Sequence, residues 1–376
     1  MSKADGNGTD ALKAKLLAKP KQTPIPAKDF LSTGSTLLNL ALTGKPNCGF
    51  AKGHIYLMVG DSSSGKTFLS MQCLAEACKN PEYKKYRFIH DNPEGGALMD
   101  VSGFFGAATA RRIEPPAGTA KDPKFSWTVE QFFRHAAAAM AKGPVVYLLD
   151  SMDALPPEAD IKKAKKDAAA RSAGREEKGS FGMAKAKAIR QGMRLMMEDL
   201  HRTGSIFIFI FQTTQRVGPG ATYDPKTKGG GTAPTFFATH ELWSSVRGAI
   251  KTRARADHLV QIGAVSRIKV KKNRVIGRPR EVDVPFFYSS GFDDTGGCVD
   301  YLVEWGHWQA LDKKEAGRLY QGRIVATEWG VTLKREALVR HVEEHGLETE
   351  LRAAVTQVWN EVEAECAVAR KPRYTT

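Results

Sequence analysis

The sequence has no Cys-x-x-Cys pair and no zinc-finger spacing; its five cysteines fall singly at positions 48, 73, 78, 298 and 366. That pattern excludes a disulfide framework and a structural zinc site, and it reads as reduced thiols of an intracellular protein. No apolar run approaches the roughly 20 residues that cross a bilayer. The opening stretch, MSKADGNGTDALKAKLLAKP, is polar and charged, so it is not a signal peptide and the expected location is the cytoplasm. No period of 20 to 50 residues recurs, which argues against a repeat architecture. Acidic residues are in deficit, 41 Asp and Glu against 56 Lys and Arg, for a formal net charge of +15. Without a basic amphipathic helix or a lipidation signal, that surplus predicts a nucleic-acid partner before a membrane; the alternative is a soluble protein that happens to be basic.

What is present suffices for a large core: 376 residues, 42% of them hydrophobic. A Pro- and Lys-containing linker, KPKQTPIPAKD, follows a short helical pattern at 10–18, so residues 1–35 read as an arm that serves oligomerisation. From residue 54 strands and helices alternate: strands at 54–60, 86–91, 145–150 and 205–211, helices at 67–79, 129–141 and 186–202. Apolar strands without in-out alternation, separated by helices, predict an α/β fold with a mainly parallel sheet covered on both faces. Residues 267–275 and 282–289 add a hairpin around Gly277, closing a core over 36–290. Residues 291–376 turn to helical patterns and are expected to form a small C-terminal helical domain, or helices packed on the core.

Residues 60–67 read GDSSSGKT, the pattern G-x-x-x-x-G-K-[ST] between an apolar strand and a helix. Its glycines let main-chain N–H groups turn inward around phosphate oxygens, and the helix N-terminus adds partial positive charge. Gly60, Asp61, Ser62, Ser63, Ser64, Gly65, Lys66 and Thr67 are thus candidate nucleotide contacts. Lys66 would neutralise the β- and γ-phosphates of a nucleotide, and the Thr67 hydroxyl would bind Mg²⁺. The strand VVYLLD supplies Asp150 as the metal-orienting acid. Hydrolysis needs a group that orients and deprotonates water, and HDNPEGG offers two carboxylates. Glu94, before Gly95 and Gly96, is the preferred catalytic residue; Asp91 is the alternative, with Glu94 then a turn residue. The strand SIFIFIF stops at Gln212 and gives way to a polar, glycine-rich stretch through Gly231.

The order of phosphate loop, carboxylate after the next strand, Asp-Ser, and a strand ending in Gln before a glycine-rich loop resembles the RecA family of recombinases. STGSTLLNLALTG (32–44), LLDSMDALPPEADI (148–161) and KVKKNRV (269–275) extend the likeness across most of the chain. The resemblance implies a RecA-like core, ATP and Mg²⁺, and a filament on single-stranded DNA that pairs with homologous duplex and exchanges strands. It implies that Gln212 senses the γ-phosphate and that Lys272 and Arg274 reach the ATP of a neighbouring subunit, although locally they are an edge-strand face. It implies a first DNA loop after Pro156, with Lys187 and Arg194 on single-stranded DNA; Lys162, Lys163, Lys165, Lys166, Arg171 and Arg175 are added charge there, or a solvated helix face. In the second loop Arg216, Lys226 and Lys228 would approach phosphates, with Gly229, Gly230 and Gly231 allowing close approach. Phe236 matches an interface aromatic of the family, or is a core residue.

Three departures mark a divergent member similar to the phage UvsX type: the shifted HDNPEGG segment, the enlarged basic first loop, and a basic end, ARKPRYTT. Location would then be the host cytoplasm, with single-strand-binding and loader proteins as further partners. Two other readings stay open. One is a hexameric helicase or branch-migration motor on the same core, the latter disfavoured by the missing zinc site and short C-terminal region. The other is a non-catalytic recombination mediator.

Overall fold

The computed structural model describes residues 25–172, 183–215, 226–311 and 322–370. In chain order, α1 (Thr36–Thr43) precedes β1 (His54–Gly60), and α2 (Lys66–Lys79) leads to β2 (Arg87–Asp91) and the short β3 (Ile113–Glu114). Helix α3 (Val129–Ala141) leads to β4 (Val145–Leu149), and α4 (Glu158–Ser172) and α5 (Met183–Thr203) lead to β5 (Ile206–Gln215). Then come β6 (Lys226–Lys228), α6 (Ala233–Phe237), the long strands β7 (His240–Arg253) and β8 (Leu259–Asn273), then β9 (Arg280–Phe287) and β10 (Gly291–Phe292). They form one sheet in the order β10-β9-β8-β7-β1-β5-β4-β2-β3, with β6 paired to β5. From β7 to β3 every pairing is parallel, whereas β8, β9, β10 and β6 join antiparallel.

Successive side chains of a strand point to opposite faces, and here both faces are dry. On one face Tyr56, Met58, Leu148, Ile208 and Ile210 pack with α1 and α2. On the other, Ile55, Leu57, Val59, Tyr147, Phe207, Phe209 and Phe211 pack with α3 and α5. Double-sided burial is why these strands are apolar at every position. Helix α5 contributes Ile189, Met193, Met196 and Leu200, a stripe at helical spacing. Gly192 lies in that stripe because a Cβ there would fall 2.1 Å from the Phe133 ring.

Several expectations change. Strand β5 does not end at Phe211: it runs on to Gln215, solvent-facing, and Thr213, Thr214 and Gln215 pair with β6. The apolar pattern stops earlier because β1 ends opposite Gln212 and β4 opposite Phe209, leaving no sheet to cover the extension. The stretch expected as a basic first loop is helical over Glu158–Ser172; Ala- and Lys-rich composition favours helix, and Glu158 and Asp160 suit its first turn. Strand β7 was not anticipated, and β8 begins eight residues before the expected 267, at Leu259. The expected helix at 10–18, Arg175, Arg216 and residues 371–376 lie outside the described residues.

Beyond β10, helices α7 (Asp294–Glu304), α8 (Arg335–Glu344) and α9 (Glu348–Glu365) are joined by a three-stranded antiparallel sheet of 309–310, 323–326 and 331–334, where helices alone were expected. Val299, Leu302, Trp308, Leu338, Val355 and Trp359 share one buried cluster with Leu37, Leu38, Leu40, Leu42 and Val284. Buried Arg335 ties this segment together, 2.9 and 3.0 Å from Asp300 and 3.1 Å from Asp293.

Candidate active site

Sheet register decides which loops meet. Gly60, the last residue of β1, pairs with Gln212 on one side and Ser244 on the other. Next to β5, β4 ends at Leu149, so Asp150 follows in the same row of strand ends; its N–H donates to the Asp91 carbonyl at 2.8 Å. Strand C-terminal ends at a change of chain direction are where open α/β sheets hold ligands.

The phosphate loop is built from below. Ser64 Oγ lies 2.8 Å from Ser244 Oγ and donates to the Asp61 carbonyl at 2.7 Å, while Ser266 Oγ donates to the Ser64 carbonyl at 2.9 Å. A Cβ on Gly60 would meet the Ser244 carbonyl at 2.4 Å, so only glycine allows this contact. Gly65 caps α2 in the left-handed region, φ 85°. Ser62 and Ser63 face solvent.

Lys66 is 8% exposed, and its ammonium donates to the Asp61 carbonyl at 2.6 Å. Burial pushes its pKa down, opposed by the charges of Asp150, Asp61, Glu94 and Asp153. A buried cation whose hydrogen-bond partner is a main-chain carbonyl fits a phosphate site. Thr67 Oγ1 donates to Asp150 Oδ2 at 2.7 Å, and burial raises the Asp150 carboxyl although that bond opposes it. These two hard oxygens fit Mg²⁺, which keeps waters and substrate oxygens in its shell. Among the described residues no cluster of three or more His, Cys, Asp or Glu forms a protein-only metal cage.

Glu94 and Asp91 have different surroundings. Glu94 is exposed at the mouth of the site, where Ser151 Oγ and Gln212 Nε2 donate to its carboxylate, the latter at 3.1 and 3.4 Å. Asp91 is fully buried and accepts from Ser126 N at 2.9 Å, Ser126 Oγ at 2.5 Å and Tyr147 Oη at 2.8 Å. Burial raises its carboxyl against these bonds. Asp91 thus belongs to the interior, and Glu94 to the mouth, with Lys66, Asp150 and Gln212.

The Gln212 main-chain N–H donates to Asp153 Oδ2 at 2.6 Å. The other Asp153 oxygen lies where a Gly229 Cβ would sit, 2.2 Å away, and the Asp153 carbonyl accepts from Lys185 Nζ at 2.9 Å. Asp153, Ser151, Thr213, Ser244 and Ser266 were not singled out from the sequence. Only Ser151 carried any signal, as the second residue of the Asp-Ser pair; Thr213, Ser244 and Ser266 acquire partners through strand register, and Asp153 through the turn that follows β4.

The remaining candidates divide. Lys226 pairs with Asp61 of the phosphate loop. Lys228 points to the Gly231 carbonyl at 3.4 Å and over the Phe211 ring at 5.5 Å, and burial lowers its pKa. Gly230 and Gly231 have φ of 78° and 71° and pack on α5 at Ile189 and Ala186. Lys187 and Arg194 are exposed on α5. Lys162, Lys165 and Lys166 are exposed on α4, with Lys163 half-buried. Lys272 Nζ and Arg274 Nη2 both donate to the Phe236 carbonyl, at 3.3 and 2.6 Å, beside the exposed Phe236 ring. Burial and neighbouring Arg274 lower Lys272 to about 8.

Among the described residues no helix is long and apolar enough to cross a membrane. Residues 130–293, from α3 through β10, are similar to the RecA N-terminal domain, whose family model they match; the span holds Asp150, Gln212, Lys272 and Arg274 and begins after residues 60–67 and Glu94.

Proposed function

We propose that this protein is an ATP- and Mg²⁺-dependent recombinase that assembles on single-stranded DNA, pairs it with homologous duplex and exchanges strands. The observation that carries the reading is the Gln212 side chain on the Glu94 carboxylate, at 3.1 Å, on a strand that continues into the β5–β6 hairpin. One residue thereby touches the hydrolytic site and leads into a basic, glycine-rich loop.

Lys66 would exchange the Asp61 carbonyl for phosphate oxygens, and Thr67 and Asp150 would hold Mg²⁺, which when bound would neutralise charge on the phosphates. Glu94 orients and deprotonates the attacking water. Gln212 leaves Glu94 for the γ-phosphate, and this movement is transmitted to β6. Lys272 and Arg274 act on the nucleotide of an adjacent subunit. Lys187, Arg194, Arg216 and Lys228 supply phosphate contacts; because base pairing tests homology, contacts to the backbone suffice. A phage-type origin and loading partners fit the basic composition but rest on the sequence resemblance alone.

The test is strand invasion: a labelled single strand, homologous and non-homologous duplexes, ATP and Mg²⁺, with the same sample imaged. Homology-dependent joints and helical filaments are expected. Six-membered rings that unwind duplex would mark a helicase, and salt-sensitive DNA binding without DNA-stimulated phosphate release would mark a mediator; either would overturn the proposal.

A further inference from the structure

Asp61 occupies a position that the phosphate-loop pattern leaves free, yet it is the most connected residue of the loop. Its carbonyl accepts from Lys66 Nζ at 2.6 Å and Ser64 Oγ at 2.7 Å. Its carboxylate accepts from Thr213, one residue past Gln212, and from Lys226, the first residue of β6. One residue therefore joins the phosphate-binding lysine to both strands of the β5–β6 hairpin. The Asp61 and Lys226 side chains remain 41% and 49% exposed, so as an ion pair they add little to folding. Their placement has another consequence. A carboxylate beside a phosphate loop repels a triphosphate unless a cation offsets it.

We propose that Lys226 is a positioning residue for nucleotide rather than a contact to DNA: its ammonium offsets the Asp61 carboxylate so that a nucleoside triphosphate can enter, and the same contact docks the root of the hairpin on the phosphate loop. The proposal rests on the ATPase reading of this site. It assigns the DNA-facing charge of the loop to other residues and gives the nucleotide a second route to the hairpin besides Gln212.

A charge cycle tests it, using full-length wild type, Lys226→Ala, Asp61→Asn and the double variant. A fluorescent ATP analogue with Mg²⁺ is titrated without DNA, and binding to a labelled single strand is measured across salt concentrations. Lys226→Ala is expected to weaken nucleotide binding about tenfold, and adding Asp61→Asn to restore it, because the uncompensated carboxylate is then gone. Lys226→Arg should retain affinity. The salt slope of DNA binding should not change in Lys226→Ala. A slope lowered by about one, with nucleotide affinity unchanged, is the signature of a phosphate contact and overturns the proposal. Absence of rescue in the double variant does so too. Should wild type bind no nucleotide, the ATPase reading fails and this inference with it; should wild type bind while all four proteins agree, only this inference fails.

Discussion

Gln212→Ala isolates the proposed link between nucleotide and DNA. The substitution removes the amide, with its contacts at 3.1 and 3.4 Å to Glu94, but keeps the main-chain N–H that donates to Asp153 at 2.6 Å. The strand end therefore stays anchored, and only the side-chain message is lost. A hydrogen bond to a carboxylate contributes about 1.5–3 kcal/mol when sheltered. Gln212 is exposed here, so ~1 kcal/mol is the appropriate figure for the bond its amide makes to the charged γ-phosphate in place of Glu94, a factor of about five in an equilibrium constant. DNA affinity is measured by fluorescence anisotropy with and without a non-hydrolysable ATP analogue. The ratio of the two affinities should fall at least about fivefold in Gln212→Ala, and the reciprocal effect of DNA on nucleotide affinity should fall equally, as linkage requires. Gln212→Glu should be worse, since it sets a second carboxylate against Glu94. Identical ratios in wild type and Gln212→Ala would refute the reasoning.

Further expectations separate the remaining roles. Glu94→Gln should keep nucleotide binding and thermal stability while lowering phosphate release about 10²- to 10⁴-fold; Asp91→Ala, which leaves Tyr147 and Ser126 without their buried acceptor, should instead lower stability by about 2–4 kcal/mol in denaturant titrations. A Glu94→Gln protein with wild-type turnover would remove Glu94 from the mechanism. Lys272 is pulled down to about 8, so its charge is present below that pH and lost as pH rises through it. DNA-stimulated turnover should decline above about pH 8, and Lys272→Arg should extend the plateau; superimposable profiles would exclude Lys272 as the titrating group. Gly192→Ala forces a methyl against Phe133 and should destabilise by about 1–3 kcal/mol, seen as a melting temperature lowered by several degrees.

How much of this was legible along the chain follows from the range of each interaction. The phosphate loop was legible because strand, turn, glycines, lysine and helix start are consecutive, and the apolar strands because burial on both faces leaves no polar position. Asp150 was legible as the carboxylate closing such a strand. Strand β7 was not: its burial is mixed, with Glu241 and His240 buried and Val246 exposed, so neither a continuous apolar run nor clean alternation marks it. The composition of α4 was read for its charge, while its helix-forming alanines went unused.

Glu94 and Asp91 stand three residues apart with the same functional group, and nothing local separates them; the turn after β2 puts one at the mouth and the other under Tyr147 and Ser126. Gln212 meets Glu94 across 118 residues, and Lys226 meets Asp61 across 165. By itself the sequence determined that an α/β core forms and that residues 60–67 make a glycine-containing turn between strand and helix, because those features are made by neighbours in the chain. Tertiary structure alone decided which carboxylate faces the site and which lysine faces the phosphate loop, because strand register, with Gly60 set between Gln212 and Ser244, brings together residues that share no local pattern.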